Sequence, residues 1–144
     1  MHTGNNTSAQ ETMLEIRPLS PEFGVEALGV DLARPMSDTA FRELERAFYA
    51  HQVLAIRAQR ISAAQFVTFE RRIGPPQPHV IDQFHHPVDR NILILSNVRK
   101  NGQPTGLQDA GSYFHTDYSY LQVPARATTL YSQVVPKVGG DTLF

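Results

Sequence analysis

The run Tyr113-Phe114-His115-Thr116-Asp117-Tyr118 decides how this chain is read. Side chains alternate across a β-strand, so a histidine and an aspartate two positions apart on a strand share one face. His115 and Asp117 would then present an imidazole beside a carboxylate. Two histidines and one carboxylate on one face of an octahedron, with the other positions open, form the non-haem iron(II) site of oxygenases. Neutral imidazole suits iron(II), a single carboxylate offsets part of its charge, and the open positions hold co-substrate and dioxygen. The pair alone is a weak signal: six histidines and seven aspartates in 144 residues give about 0.3 such pairs by chance. A hydrogen-bonded His–Asp pair on a strand is the commoner meaning. The surroundings alter that balance. Tyr113, Phe114, Tyr118 and Tyr120 would wall a dry pocket, and Gly139-Gly140-Asp141-Thr142 follows downstream.

Working outward, Leu14 to Arg17 alternates apolar and polar, a short strand ended by Pro18, and Gly24 to Leu32 is a second extended piece. Ser37 can cap a helix whose apolar stripe is Phe41, Leu44, Ala47 and Phe48. Gln52 to Arg57 reads as a buried strand. Ser62-Ala63-Ala64-Gln65 is a capping box that opens a second helix carrying Phe66, Val67, Phe69 and Ile73, stopped by Gly74-Pro75-Pro76. A His- and Pro-rich loop holds His79, His85 and His86, the last two expected to face solvent. Asn91 to Val98 is the firmest strand, Arg99 to Ser112 a long loop, and Ala127 to Val135 a further strand.

Composition sets the outer bounds. The length suffices for one domain, and 41% hydrophobic with 19% charged residues is ordinary globular composition. A net charge of −1 offers no basic surplus for nucleic acid. The absence of cysteine excludes disulfides, thiolate metal sites and a cysteine nucleophile, and suits a cytoplasmic location. Residues 1–13 are polar and read as a disordered tail rather than a signal peptide. No apolar run reaches the length of a membrane helix, so no membrane association is expected.

The ordered motifs Ile16-Arg-Pro-Leu, Gly29-Val-Asp-Leu-Ala-Arg-Pro-Met-Ser, His51-Gln-Val-Leu-Ala-Ile-Arg, Ser96-Asn97-Val98, Phe114-His-Thr-Asp, Pro124 and Gly139-Gly-Asp-Thr-Leu-Phe resemble the N-terminal half of the taurine and 2,4-dichlorophenoxyacetate dioxygenase (TauD/TfdA) family. On that resemblance residues 14–144 are the N-terminal part of a dioxygenase domain. It implies mixed α and β structure, a double-stranded β-helix (jelly roll) with flanking helices, incomplete in this chain. It also implies Fe(II), with 2-oxoglutarate as co-substrate and dioxygen as oxidant. The reaction would hydroxylate a small organic acid of the sulfonate, sulfate ester or aryloxyacetate type and yield succinate and carbon dioxide. His115 and Asp117 match the first two metal ligands. Thr142 matches a threonine that helps hold a 2-oxoglutarate carboxylate. His79 falls where the taurine enzyme uses a histidine on its substrate's acid group. A homo-oligomer of the full-length protein stays open.

Phe114 departs from the tryptophan usual before the metal histidine. No histidine follows His115, and Arg126 is the only later arginine. The family's distal histidine and its 2-oxoglutarate-binding arginine are therefore not found here. Two alternatives follow: a truncated, non-catalytic fragment lacking both residues, and a zinc or manganese protein of the jelly-roll type.

Overall fold

The structure is a computed structural model and describes residues 14–144. The tail expected over residues 1–13 lies outside the described residues. The chain divides between Phe69 and Glu70 into two compact units.

In the first unit, β1 (Glu15–Pro18) and β2 (Val25–Leu28) pair antiparallel, Glu15 opposite Leu28 and Pro18 opposite Val25. The period of two sorts β2 as expected: Val25 and Ala27 are buried, Glu26 and Leu28 half-buried. Helix α1 (Asp38–His51) begins at the expected cap. The Ser37 hydroxyl accepts from the Ala40 N–H at 3.2 Å, and Asp38 sits at the positive end of the helix dipole. Its predicted stripe turns inward, with Phe41, Leu44 and Ala47 buried. The helix ends on Gln52, whose φ is +66° and whose N–H bonds to the Phe48 carbonyl at 2.6 Å.

That left-handed cap corrects the strand expected over Gln52–Arg57. The reversal uses up its first residues, and only Leu54–Ala55 forms β3, half-buried and parallel to β2. The sheet order is β1-β2-β3. Helix α2 (Ala63–Ile73) carries the reciprocal capping box: the Ser62 N–H donates to Gln65 Oε1 at 2.8 Å, and the Gln65 N–H to Ser62 Oγ at 3.3 Å. Gln65 Nε2 also donates to the Ala33 carbonyl at 2.9 Å, tying a loop to the helix start. Phe69 meets Phe41 edge-on at 6.2 Å. The buried apolar residues among those described are Val25, Ala27, Phe41, Leu44, Ala47, Phe66 and Val67, all in this unit.

The second unit is held by backbone and polar links. A 3-10 turn, Asp82–Phe84, breaks the His-rich loop. Asn91–Val98, expected as a strand, is instead an extended run with isolated bridges, His85 to Leu93 and Leu95 to Leu107. The loop expected over Arg99–Ser112 contains a hairpin, β4 (Arg99–Lys100) and β5 (Gln103–Pro104). Its turn is Asn101-Gly102 with φ of +51° and +77°, both left-handed as a tight two-residue hairpin requires. Ala127–Val135 forms no strand either. A strand needs a neighbour to satisfy its N–H and C=O groups, and among the described residues no ladder forms with this segment. Leu130, Val134 and Val135 are exposed accordingly. The described residues thus form small sheets and two helices, and no closed jelly roll is present among them. No described helix is long and apolar enough to cross a membrane.

Candidate metal centre

His115 and Asp117 do not lie on a strand, contrary to expectation: His115 is in irregular backbone, and Asp117 opens a turn that runs to Tyr120. Their side chains meet nevertheless, with His115 Nε2 at 3.3 Å from Asp117 Oδ1. The local chain accounts for the meeting. His115 Nδ1 lies 2.8 Å from the Tyr113 carbonyl oxygen. A carbonyl only accepts, so Nδ1 carries the hydrogen and Nε2 turns toward the carboxylate. A neutral ring in that tautomer aims a bare lone pair at an anionic oxygen. A positive centre between the two atoms, a proton or a metal cation, relieves that repulsion. Adjacent ligands of an octahedral ion with bonds of about 2.1 Å stand about 3 Å apart, close to the separation found. The donor set and spacing fit a divalent ion. Both side chains remain open to one, at 44% and 43% exposure.

Gly111 shapes the histidine's side of the site. Its φ is +97°, and a Cβ placed on it would stand 3.0 Å from His115 Cε1. Only glycine supplies both that backbone and that clearance. On the carboxylate's side, the Thr128 hydroxyl donates to Asp117 Oδ2 at 2.8 Å. Next in the chain, Tyr118 has φ +51°, which is strained for an aromatic residue. Burial, then the nearby Tyr120 and Asp117, push its phenol above the usual range. Its ring takes the edge of His79 at 6.0 Å and lies 6.2 Å from Tyr120.

The other expected site residues divide. His79 comes to this region through Tyr118, with its Nδ1 accepting from the Ile81 N–H at 3.0 Å. Thr142 is exposed, and no hydrogen bond joins it to His115 or Asp117. His85, expected to face solvent, has only 7% of its side chain exposed. Its Nε2 lies 3.0 Å from the His79 carbonyl and its Nδ1 3.5 Å from Asp82. His86 is half-buried and accepts from the Val88 N–H. Both imidazoles serve their own loop. Arg126 donates to the Ile73 carbonyl at 2.9 Å, at the C-terminal end of α2. No group of three or more potential ligands gathers among the described residues. Gly111 and Thr128 were not singled out from sequence. Thr128 follows Asp117 by 11 positions, which matches no local periodicity, whereas a glycine shortly before the histidine was at least visible.

Comparison with known proteins adds an independent line. The family described as taurine catabolism dioxygenase TauD, TfdA family matches residues 15–144. The alpha-ketoglutarate-dependent 2,4-dichlorophenoxyacetate dioxygenase of Cupriavidus pinatubonensis is 32% identical over 137 residues, 88% of this chain and 48% of that protein. The (S)-phenoxypropionate/alpha-ketoglutarate-dioxygenase of Delftia acidovorans is 30% identical over 145 residues, 93% of this chain and 47% of that one. The crystal structure of AAD-2 in complex with Mn(II) and N-oxalylglycine is 29% identical, with a TM-score of 0.44 over 45% of this chain and 24% of that chain. The chain spans about half the length of the curated relatives it matches.

Proposed function

The chain belongs to the TauD/TfdA family of taurine catabolism dioxygenases, and from that premise we propose that the protein is an iron(II)- and 2-oxoglutarate-dependent dioxygenase of a small organic acid. The observation that carries this reading is the 3.3 Å approach of His115 Nε2 to Asp117 Oδ1, with Nδ1 engaged by a carbonyl. These two residues would hold the metal, and the domain would be a jelly roll. Iron held there would supply dioxygen activation coupled to decarboxylation of 2-oxoglutarate to succinate and carbon dioxide.

The chain's own residues bind, orient and exclude. Thr142 would donate its hydroxyl to a 2-oxoglutarate carboxylate. His79 would face the substrate's acid group, its ring held against Tyr118. Tyr113, Phe114, Tyr118 and Tyr120 supply aromatic surface beside the ligands and favour an aryl-bearing acid. The aryloxyalkanoates named for the relatives are of that kind. Hydroxylation of the carbon next to an ether oxygen gives a hemiacetal-type product that breaks apart, so an aryloxyacetate would be cleaved to a phenol. Sulfonates and sulfate esters are the comparison acids.

Turnover by the protein as its gene encodes it tests the proposal. Iron(II), 2-oxoglutarate, ascorbate and 2,4-dichlorophenoxyacetate or 2-phenoxypropionate should yield succinate in a substrate-dependent way, and His115→Ala or Asp117→Ala should abolish it. No succinate with any aryloxyalkanoate, sulfonate or sulfate ester would sink the reading. One sequence observation favours a second reading for residues 1–144 by themselves. No histidine follows His115, and two protein ligands hold a divalent ion more weakly than three. On that reading the isolated chain binds iron poorly and turns nothing over.

A further inference from the structure

The two oxygens of Asp117 face different partners. Oδ1 is turned to His115 Nε2 at 3.3 Å, and Oδ2 accepts the Thr128 hydroxyl at 2.8 Å. A carboxylate left to itself rotates about its terminal torsion, which is broad and roughly two-fold. It can then bind a metal through one oxygen or both. A hydroxyl hydrogen bonded to one oxygen restrains that rotation and competes with a metal for that oxygen, which favours binding through the other. Partners of this kind around metal ligands orient them and set their basicity.

We propose that Thr128 is a positioning residue for the metal site, holding Asp117 to one-oxygen ligation through Oδ1 so that the remaining positions on the ion stay free for co-substrate. The inference rests on the reading of His115 and Asp117 as metal ligands. It assigns their binding atoms, His115 Nε2 and Asp117 Oδ1, and pairs Thr128 on one ligand with the Tyr113 carbonyl on the other. Thr128 lies in the extended run after Ala127, and its side chain is exposed. Valine has the same branching at Cβ and the same backbone preference. Thr128→Val therefore removes the hydroxyl while keeping the shape.

The test uses the full chain and manganese(II) as the probe, with free ion followed by its paramagnetic resonance signal. Thr128→Val and Thr128→Ala should each weaken manganese binding about 10-fold or more, while Thr128→Ser, which keeps the hydroxyl, stays within about twofold of the original. Far-UV circular dichroism of each variant checks that the fold is kept, and the alanine variant decides the matter where valine disturbs it. Valine and alanine variants that bind manganese as tightly as the original overturn the assignment. So does a serine variant as weak as the valine one. A chain that binds manganese no better than its His115→Ala variant overturns the metal-ligand reading itself, a result separate from any difference among the Thr128 variants.

Discussion

Replacing Gly111 with alanine probes how tightly the chain is shaped around His115. The added Cβ would stand 3.0 Å from His115 Cε1, tighter than ordinary carbon contacts. The ring must then yield by a few tenths of an ångström, which strains the 2.8 Å bond from Nδ1 to the Tyr113 carbonyl. Losing that bond costs about 1 kcal/mol, and a Cβ on backbone at φ +97° costs about 1–2 kcal/mol more. The expected loss is about 2–3 kcal/mol of stability, with manganese affinity reduced about 10-fold as the imidazole turns from Asp117. Gly102→Ala supplies the control. Its φ is +77° and an added Cβ meets nothing within 4 Å, so it carries backbone strain without the contact. Urea unfolding followed by tyrosine fluorescence measures both variants, since the chain has five tyrosines and no tryptophan. The reasoning is refuted if Gly111→Ala is no more costly than Gly102→Ala and leaves manganese affinity unchanged.

Two further outcomes are expected. Leu44 is 2% exposed in the core between α1 and its sheet, so Leu44→Ala should cost about 3 kcal/mol in urea unfolding; a loss under about 1 kcal/mol would mean the site collapses around the gap. Glu70 has its carboxyl pushed up to about 7 by burial and then by the charge of Asp89, a carboxylate held below its usual range first by the Asn91 backbone N–H and then by the Asn91 side chain. The folded chain keeps this proton at pH values where the unfolded chain has lost it, so stability is greatest below about 4.5 and falls as pH rises toward about 7. Glu70→Gln should remove that fall, leaving the variant more stable than the original at pH 8 by about 1 kcal/mol after solvent screening of a half-exposed group, and no more stable at pH 4. Parallel stability–pH curves for the two proteins would contradict the assignment.

Local pattern was enough for the features that one segment can satisfy alone. Ser37 and the Ser62–Gln65 box capped their helices where the pattern placed them, because a cap closes within three or four residues. The stripe Phe41, Leu44, Ala47 and the alternation Val25, Ala27 faced inward because each period follows from local backbone geometry. The hairpin at Asn101-Gly102 forms in a stretch expected as a loop, on a two-residue turn whose Asn and Gly accept the left-handed backbone it needs. The His-x-Asp pair and the family motifs were read from the chain, and the match over residues 15–144 bears out the family.

Tertiary structure decided what depends on a partner distant in sequence. Strand pairing at 91–98 and 127–135 requires a neighbouring backbone that no local pattern supplies, so the apolar run in the first and the β-branched and aromatic content of the second overstated the ladder. The two histidines expected to face solvent instead bond within their own loop, to partners two to six positions away. The His-x-Asp pair itself was legible in the sequence, but the strand expected to carry it did not form. His115 and Asp117 meet through a carbonyl that orients the imidazole, a glycine that gives it room, and Thr128, brought to the second carboxylate oxygen only by the fold. Side-chain identity fixes which atoms can bind a cation. The direction those atoms point is set by hydrogen bonds whose partners the chain must first fold to supply.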